Sequence, residues 1–161
     1  MPKVFTSKTQ RIGEIGENIA VKFLMKHGFA VLERNYTKKW GEIDIIAKKS
    51  DKLYFIEVKS VSRRTIPQNV TRETPKSSQN NINRVTHGTF DSHFARATRD
   101  EYQAEDNMHP WKLKRLSRTI QTYLMSNRIH EDREWQLDLL VVYLDIENKK
   151  AQIKVVPDIV L

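Results

Sequence analysis

The length and charge of the chain set the first limits on what it can do. Its 161 residues can form one domain with a substantial core, and no stretch approaches the roughly 20 apolar residues of a membrane span. Lysine and arginine outnumber aspartate and glutamate by 28 to 20, and this net charge of +8 favours a polyanionic partner such as nucleic acid. The absence of cysteine excludes disulfides, thiolate metal sites and cysteine nucleophiles. The amino terminus lacks the apolar core of a signal peptide, and we expect a cytoplasmic protein without a membrane partner.

The first predicted element is a helix that begins after Ser7. Ser7-Lys8-Thr9-Gln10 has the form of a capping box, and apolar residues recur at helical spacing from Ile12 to Leu24. Gly28 fits the position just after the end of this helix.

Glu17 lies at the edge of the apolar stripe of this helix. Its carboxylate could reach over the surface of a sheet, or it could simply extend into water. Gly13 and Gly16 would allow the helix to approach the sheet closely, at some cost in helix propensity. A first strand is predicted over Phe29–Tyr36, and Arg34 in it is a candidate phosphate contact.

Two apolar runs joined by a polar tip predict a hairpin over residues 41–60. The tip is either a two-residue loop at Ser50-Asp51 or a four-residue loop over residues 49–52. Either loop places Asp44 opposite Glu57 with Cβ atoms roughly 5 Å apart. The other cross-strand pairs are Glu42 with Lys59 and, on the opposite, apolar face, Ile43 with Val58, Ile45 with Ile56 and Ala47 with Tyr54.

The acidic end of the hairpin has two interpretations. Two carboxylates this close repel each other unless a proton or a cation lies between them, and oxygen ligands suit a hard divalent ion such as Mg²⁺. Alternatively, Glu42 and Lys59 form an ordinary cross-strand ion pair beside two solvated acids. The spacing alone leaves both interpretations open.

The composition changes over about residues 62–108, where Ser, Thr, Asn, Gln and Arg dominate. A loop of this length is either functional or disordered, and only a weak helical pattern is present over Phe90–Tyr102. His87, Asp91 and His93 do not have the spacing of a known zinc site.

The remainder of the chain predicts a basic helix and two strands. Pro110 fits a first helical position, and Lys112 and Arg115 flank the apolar stripe that follows, where they could contact phosphates. Strands are predicted over Trp135–Leu144 and Ala151–Val156. We therefore predict a single α/β domain over residues 1–161, with the order αβββ, an insertion at about 62–108, then αββ. A mixed sheet with a helix on each face is the simplest packing.

The motifs also carry a resemblance to a known family. G-E-I-D-I-I-A and F-I-E-V-K-S, after a helix containing G-x-x-G-E, resemble the bacterial YraN-like family of small predicted endonucleases. That family is similar to archaeal Holliday junction resolvases, within the restriction-endonuclease-like PD-(D/E)xK superfamily. The likeness also covers Glu33-Arg34-Asn35-Tyr36, and it resumes at Lys112–Leu124 and Gln136–Val141.

The resemblance implies a fold, a reaction and a site. It implies a restriction-endonuclease-like mixed sheet and hydrolysis of DNA phosphodiester bonds, at branched or junction DNA in repair or recombination. The implied cofactor is Mg²⁺ or Mn²⁺, held by Asp44, Glu57 and Glu17, with Lys59 as the fourth catalytic residue. Junction resolvases act as dimers on two-fold substrates, so a homodimer is an option, although no stretch of this sequence indicates a dimer surface.

The sequence departs from the family pattern at two places. The connection between Glu-Val-Lys and the basic helix is far longer than usual, and Gln136-Leu137-Asp138 stands where the family usually has arginine before Phe-Asp. Two other functions stay open. The first is a nucleic-acid-binding module without catalysis, and the second is a scaffold that uses the insertion.

Overall fold

The computed structural model describes residues 7–62, 85–86, 108–130 and 132–161. The elements are α1 (Lys8–Lys26), β1 (Ala30–Lys38), β2 (Gly41–Lys49), β3 (Lys52–Ser62), β4 (Val85–Thr86), α2 (Pro110–Ser126), β5 (Trp135–Asp145) and β6 (Lys150–Val156). The predicted mixed α/β character is confirmed, and the short β4 lies within the predicted insertion. The pattern over Phe90–Tyr102 and the residues His87, Asp91 and His93 lie outside the described residues.

The strands form one mixed sheet in the order β1-β2-β3-β5-β6-β4. The β1–β2, β2–β3 and β5–β6 neighbours are antiparallel, whereas β3–β5 and β4–β6 are parallel. Because parallel neighbours need a crossover connection, the chain does not pass directly from β3 to β5, and α2 lies in the connection between them. Residues 41–62 and β5 therefore lie in the middle of the sheet.

The two helices cover opposite faces of the sheet. On the α1 side, Phe23 and Leu24 pack against alternate residues of the strands, such as Ile56 and Val142. The opposite side is covered by α2, whose buried residues Leu116, Ile120 and Tyr123 pack with Phe55 and Leu137. Neighbours along β3 and β5 thus enter different cores, as expected for strands buried on both faces.

Both ends of α1 follow the sequence signals. The Ser7 hydroxyl accepts a hydrogen bond from the Gln10 backbone N–H at 3.2 Å, and the Gln10 side chain accepts one from the Ser7 N–H at 3.2 Å. This is the reciprocal capping box that the sequence predicts. At the other end, Gly28 adopts φ +81°, which glycine tolerates without steric cost. Ile15, which was assigned to the apolar stripe, is instead 43% exposed.

The hairpin register is confirmed near its tip. Lys49 pairs with Lys52 around the two-residue turn Ser50-Asp51, and pairing continues to Ile45 with Ile56. Ser50 has φ +52°, the left-handed conformation that tight hairpin turns require.

The prediction for Ile43 is wrong. Residues two apart on a regular strand share a face, but Ile45 packs in the α1-side core and Ile43 in the α2-side core. The described pairs between β2 and β3 end at Ile45 and Ile56. Beyond this point, the side chains along β2 no longer alternate regularly between the two cores.

The neighbouring strand β1 has a matching irregularity. Arg34 and Tyr36 lie opposite Ile45 and Ile43, and Asn35 between them has φ +52°. Asparagine is one of the few residues that adopt this conformation readily. The Asn35 conformation lets Arg34 point toward α1 while Tyr36 packs in the α2-side core.

Asp138 anchors the chain after β6 to β5. It is 1% exposed, and its Oδ1 accepts hydrogen bonds from Gln136 Nε2 at 2.7 Å and from the Asp158 backbone N–H at 2.9 Å. Burial raises the pKa of Asp138, and the two hydrogen bonds oppose that rise. The Gln136-Leu137-Asp138 departure thus has a structural role here.

Candidate functional site

The site is built at the end of the β2–β3 hairpin that lies away from the tip. Where the ladder stops, Asp44 Oδ2 accepts a hydrogen bond of 2.7 Å from the backbone N–H of Val58. A side chain here replaces the backbone carbonyl that would continue the ladder. The Asp44 carboxylate is thereby held against β3, beside the residue that follows Glu57.

Glu57 is a buried carboxylate with one paired and one unpaired oxygen. The residue is 7% exposed, and Oε1 contacts the ammonium group of Lys112 from α2. The other oxygen, Oε2, is buried and has no hydrogen-bond partner among the described residues. Leaving a buried carboxylate oxygen unpaired costs free energy, and such a group in a native structure is typical of a ligand site.

Both carboxylates have raised pKa values. Burial raises the pKa of Asp44 to about 8, with the neighbouring charge of Glu57 as the second cause, while the Val58 N–H opposes the rise. Burial likewise raises the pKa of Glu57, against the opposing effect of Lys112. The charges of Glu42 and Glu17 add to these shifts. Carboxylates with raised pKa values grouped at one place are typical of functional sites.

Glu17 reaches this region because α1 lies close to β3. A Cβ at Gly16 would stand 1.8 Å from Ser60 Oγ and 2.9 Å from Ser60 Cβ, so only glycine fits there. The prediction of close approach is confirmed for Gly16 but is wrong for Gly13, where a Cβ would meet nothing within 4 Å. Glu17 forms a 3.7 Å ion pair with Arg34.

The predicted phosphate contacts are engaged within the protein. Arg34 bonds Asn18 Oδ1 at 2.9 Å as well as pairing with Glu17, and Lys112 pairs with Glu57. Arg115 Nε donates to the Trp40 carbonyl oxygen at 2.5 Å. Contacts of these basic residues with DNA stay predictions.

Lys59 completes the predicted set. It is half-buried and follows Glu57 by two residues on β3, so strand alternation places both on the α2 side of the sheet. The structure therefore brings Asp44, Glu57 and Lys59 to one end of the hairpin. Glu17 lies on α1, which covers the other face of the sheet, and its charge raises the pKa values of Asp44 and Glu57.

The donor atoms suit a hard cation, but the acids do not form a finished cage. Among the residues that the structure describes, no three Asp, Glu or His side chains come together as a metal-binding group. The two carboxylates that do come together offer oxygen atoms, including the unpaired Oε2 of Glu57. Oxygen donors are what Mg²⁺ takes, usually through one or two carboxylates with water filling the remaining positions.

Sequence reasoning missed two features of this region. It assigned Lys112 to phosphate binding, whereas its ammonium group pairs with Glu57, a contact between residues 55 positions apart that no local pattern reports. It also overlooked the pair Trp40 and Trp111. In the sequence, each of these tryptophans stands next to a lysine, with Lys39 before Trp40 and Lys112 after Trp111.

One structural finding bears on membranes. Among the described residues, neither helix combines the length and the apolar character that crossing a bilayer demands.

Comparison with known proteins fixes the family. A profile of the uncharacterised protein family UPF0102 matches residues 16–88, a range that contains Glu17, Asp44, Glu57 and Lys59. A UPF0102 protein of Campylobacter jejuni is 32% identical over 134 residues, which cover 83% of this chain and 85% of the relative. The chain belongs to the UPF0102 family.

Two further relatives match over different lengths of the chain. A UPF0102 protein of Campylobacter concisus is 36% identical over 136 residues, covering 84% of this chain and 86% of its own length. One from Campylobacter hominis is 57% identical over a shorter 56-residue stretch, 35% of this chain and 50% of that protein. The resemblance to the YraN-like family is thus confirmed at the level of the family, whose members carry no described activity in their names.

Proposed function

We propose that this UPF0102 protein is a metal-dependent endonuclease that hydrolyses phosphodiester bonds in DNA. The observation that carries the proposal is the pair Asp44 and Glu57. Both carboxylates are packed at the end of one hairpin, both have raised pKa values, and Glu57 Oε2 has no partner among the described residues. A surface that only binds phosphate would be better without them, because they repel it.

The proposal includes a restriction-endonuclease-like arrangement of the sheet. A central hairpin with an acid on one strand and Glu-x-Lys on the next, flanked by helices on both faces, supports it. Branched DNA is the proposed substrate class, by analogy with the junction resolvases that the family resembles.

Each site residue has a proposed role. Bound Mg²⁺ or Mn²⁺ supplies a lowered pKa for coordinated water and neutralises charge on the phosphate. Asp44 and Glu57 would hold the cation with hard oxygen donors, and Glu17 would hold a second cation or orient water. Lys59 would stabilise negative charge on the phosphate.

Lys112 would influence whether the carboxyl group of Glu57 is protonated or ionised. Its ammonium group contacts Oε1 and favours the ionised carboxylate, which is the form that binds metal. The ammonium also occupies one of the oxygens that a cation would use.

A nuclease assay tests the proposal directly. The purified protein is incubated with Mg²⁺ and a four-way junction, a flap, a duplex or single-stranded DNA, with Asp44→Ala and Glu57→Ala in parallel. We expect structure-selective cleavage that falls to background in both variants, while DNA binding persists because fewer acids repel the phosphates. Asp51→Asn is the matched control, since Asp51 is an acid of the same hairpin that is 89% exposed at the tip. Cleavage by Glu57→Ala at the wild-type rate would refute the site.

A nucleic-acid-binding module without catalysis is the second candidate. The observation that favours it is the ion pair with Lys112, which satisfies part of Glu57 without a metal. Titration with Mn²⁺, followed by its electron paramagnetic resonance signal, separates the two. The nuclease requires Mn²⁺ binding that Asp44→Ala weakens, and the binding module requires none at this place.

A further inference from the structure

Two tryptophans and three cations form a continuous patch beside the proposed nuclease site. We call it the Trp–Arg platform, and it consists of Lys39, Trp40, Trp111, Arg115 and Arg118. Trp111, Arg115 and Arg118 are spaced i, i+4 and i+7 on α2, so they line one face of that helix. Lys39 and Trp40 form the turn between β1 and β2.

The contacts within the platform join the helix to the turn. Arg115 Nε donates to the Trp40 carbonyl oxygen at 2.5 Å, and the Arg115 guanidinium lies 5.7 Å from the centre of the Trp111 ring. The guanidinium of Arg118 and the ammonium of Lys39 lie 5.1 Å and 4.3 Å from the centre of the Trp40 ring. Cations at these distances from a ring are attracted to its face, which fixes the arrangement before any ligand binds.

The platform presents aromatic surface to solvent. Trp111 is 60% exposed, although a tryptophan side chain gains free energy when it is buried. A lone exposed hydrophobic residue would need no explanation. A second tryptophan and three cations beside it, however, match what single-stranded nucleic acid uses, since bases stack on aromatic rings while cations track the phosphates.

The position of the platform relates it to the acids. Lys112 follows Trp111 directly on α2 and contacts Glu57. Trp111 is therefore within one helical turn of the lysine that contacts the proposed site.

We infer that the Trp–Arg platform binds unpaired nucleotides, with Trp111 as the main stacking residue and Arg115, Arg118 and Lys39 as phosphate contacts. The bases of an intact duplex are stacked on one another and cannot use the platform. If the proposed nuclease function is correct, on which this step rests, its substrate carries unpaired nucleotides next to the bond that is cut. The stacking itself does not depend on catalysis.

Binding without metal tests the platform separately from cleavage. The anisotropy of a labelled oligothymidylate and of a labelled duplex is measured with the full-length protein in EDTA at fixed salt. We expect Trp111→Ala to weaken single-strand binding about tenfold and duplex binding less than about twofold, with Trp111→Phe intermediate. Equal losses for both DNAs, or no loss for the single strand, would overturn the inference.

The third tryptophan provides the matched control. Trp135 is 38% exposed at the start of β5 and packs edge-on against Phe55, away from the platform residues in the sequence. Trp135→Phe should leave single-strand binding unchanged. In that background the only remaining tryptophans belong to the platform, and their fluorescence should be quenched by a stacked base.

Tryptophan quenching also distinguishes binding of DNA from binding of RNA. It tests the platform independently of the nuclease proposal. Quenching by oligothymidylate, by oligouridylate or by both supports the platform and shows which sugar it accepts, whereas quenching by neither contradicts it. Asp51→Asn, at the exposed hairpin tip, should quench like the parent protein. Quenching without any metal-dependent cleavage would refute the nuclease proposal and leave the platform in place.

Discussion

The two ends of the β2–β3 hairpin follow opposite principles. Near the tip, every described pair from Ile45–Ile56 to Lys49–Lys52 continues the ladder, and the inward side chains are apolar. At the open end the ladder stops, the side chain of Asp44 bonds the backbone of Val58, and acids lie where apolar residues would be more stable. The residues near the tip favour folding. At the open end, the buried carboxylates lower the stability of the fold, as charged groups at functional sites commonly do.

The largest expected change in the free energy of unfolding concerns the close contact between α1 and β3. Gly16→Ala should lower the free energy of unfolding by about 3 kcal/mol, because the added methyl group meets Ser60 and forces the helix away from the sheet. Gly13→Ala is the matched control and should raise stability by up to about 1 kcal/mol, because space is open there and alanine favours helix. Urea unfolding of both variants measures the difference, and equal effects would refute this account of Gly16.

The second prediction tests whether Asp44 costs stability. Its folded-state pKa of about 8 lies above its ordinary value of 3.8, so its contribution to stability is full at low pH and is lost as the pH rises between these values. Asp44→Asn keeps an oxygen that can accept from Val58 and removes the charge. We expect it to stabilise the protein on the order of 2 kcal/mol at pH 8 and far less at pH 4.

Asp145→Asn is the control with the opposite sign. Hydrogen bonds from Asn148 lower the pKa of Asp145, so its charge stabilises the fold above its ordinary pKa and that contribution is lost as the pH falls. This variant should therefore be destabilised at pH 8. Thermal unfolding at both pH values checks the pair, and stabilisation of Asp44→Asn that does not grow with pH would contradict the assignment.

These two tests mark what the sequence could and could not predict. The capping box, the hairpin turn and the register near the tip depend on residues a few positions apart, and periodicity reports them correctly. Ile43 and Ile45 enter different cores, and the neighbouring strand is irregular at Asn35, neither of which follows from strand periodicity. The contact of Lys112 with Glu57 depends on how α2 packs, which no spacing encodes. The hairpin pattern predicted that Asp44 and Glu57 lie close together, but it did not predict the contact of Glu57 with Lys112.

The third prediction concerns that contact. Lys112 lowers the pKa of Glu57, so Lys112→Ala should raise it further. Because a proton competes with metal for the carboxylate, the pH of half-maximal Mn²⁺ binding should move upward by about one unit. Lys114→Ala, an exposed neighbour on α2, should not move it. A shift toward lower pH would show that the ammonium group mainly blocks the metal.

The smallest expected effect lies at the tip. Ser50 has φ +52°, a conformation in which glycine is under less strain. Ser50→Gly should raise the free energy of unfolding by about 0.5 kcal/mol and leave DNA cleavage unchanged. Altered cleavage would mean that the conformation of the tip affects the acidic residues at the open end of the hairpin.

The short strand Val85–Thr86 has a consequence for how this protein can be trimmed. It pairs with Ala151 and Gln152 of β6 and so occupies part of one edge of the sheet. An uncovered edge offers free N–H and C=O groups to any other strand, which is a common route to aggregation. A shortened chain that lacks residues 62–108 would lose β4 and expose the backbone of Ala151 and Gln152 in β6. We therefore expect it to aggregate more readily than the full chain.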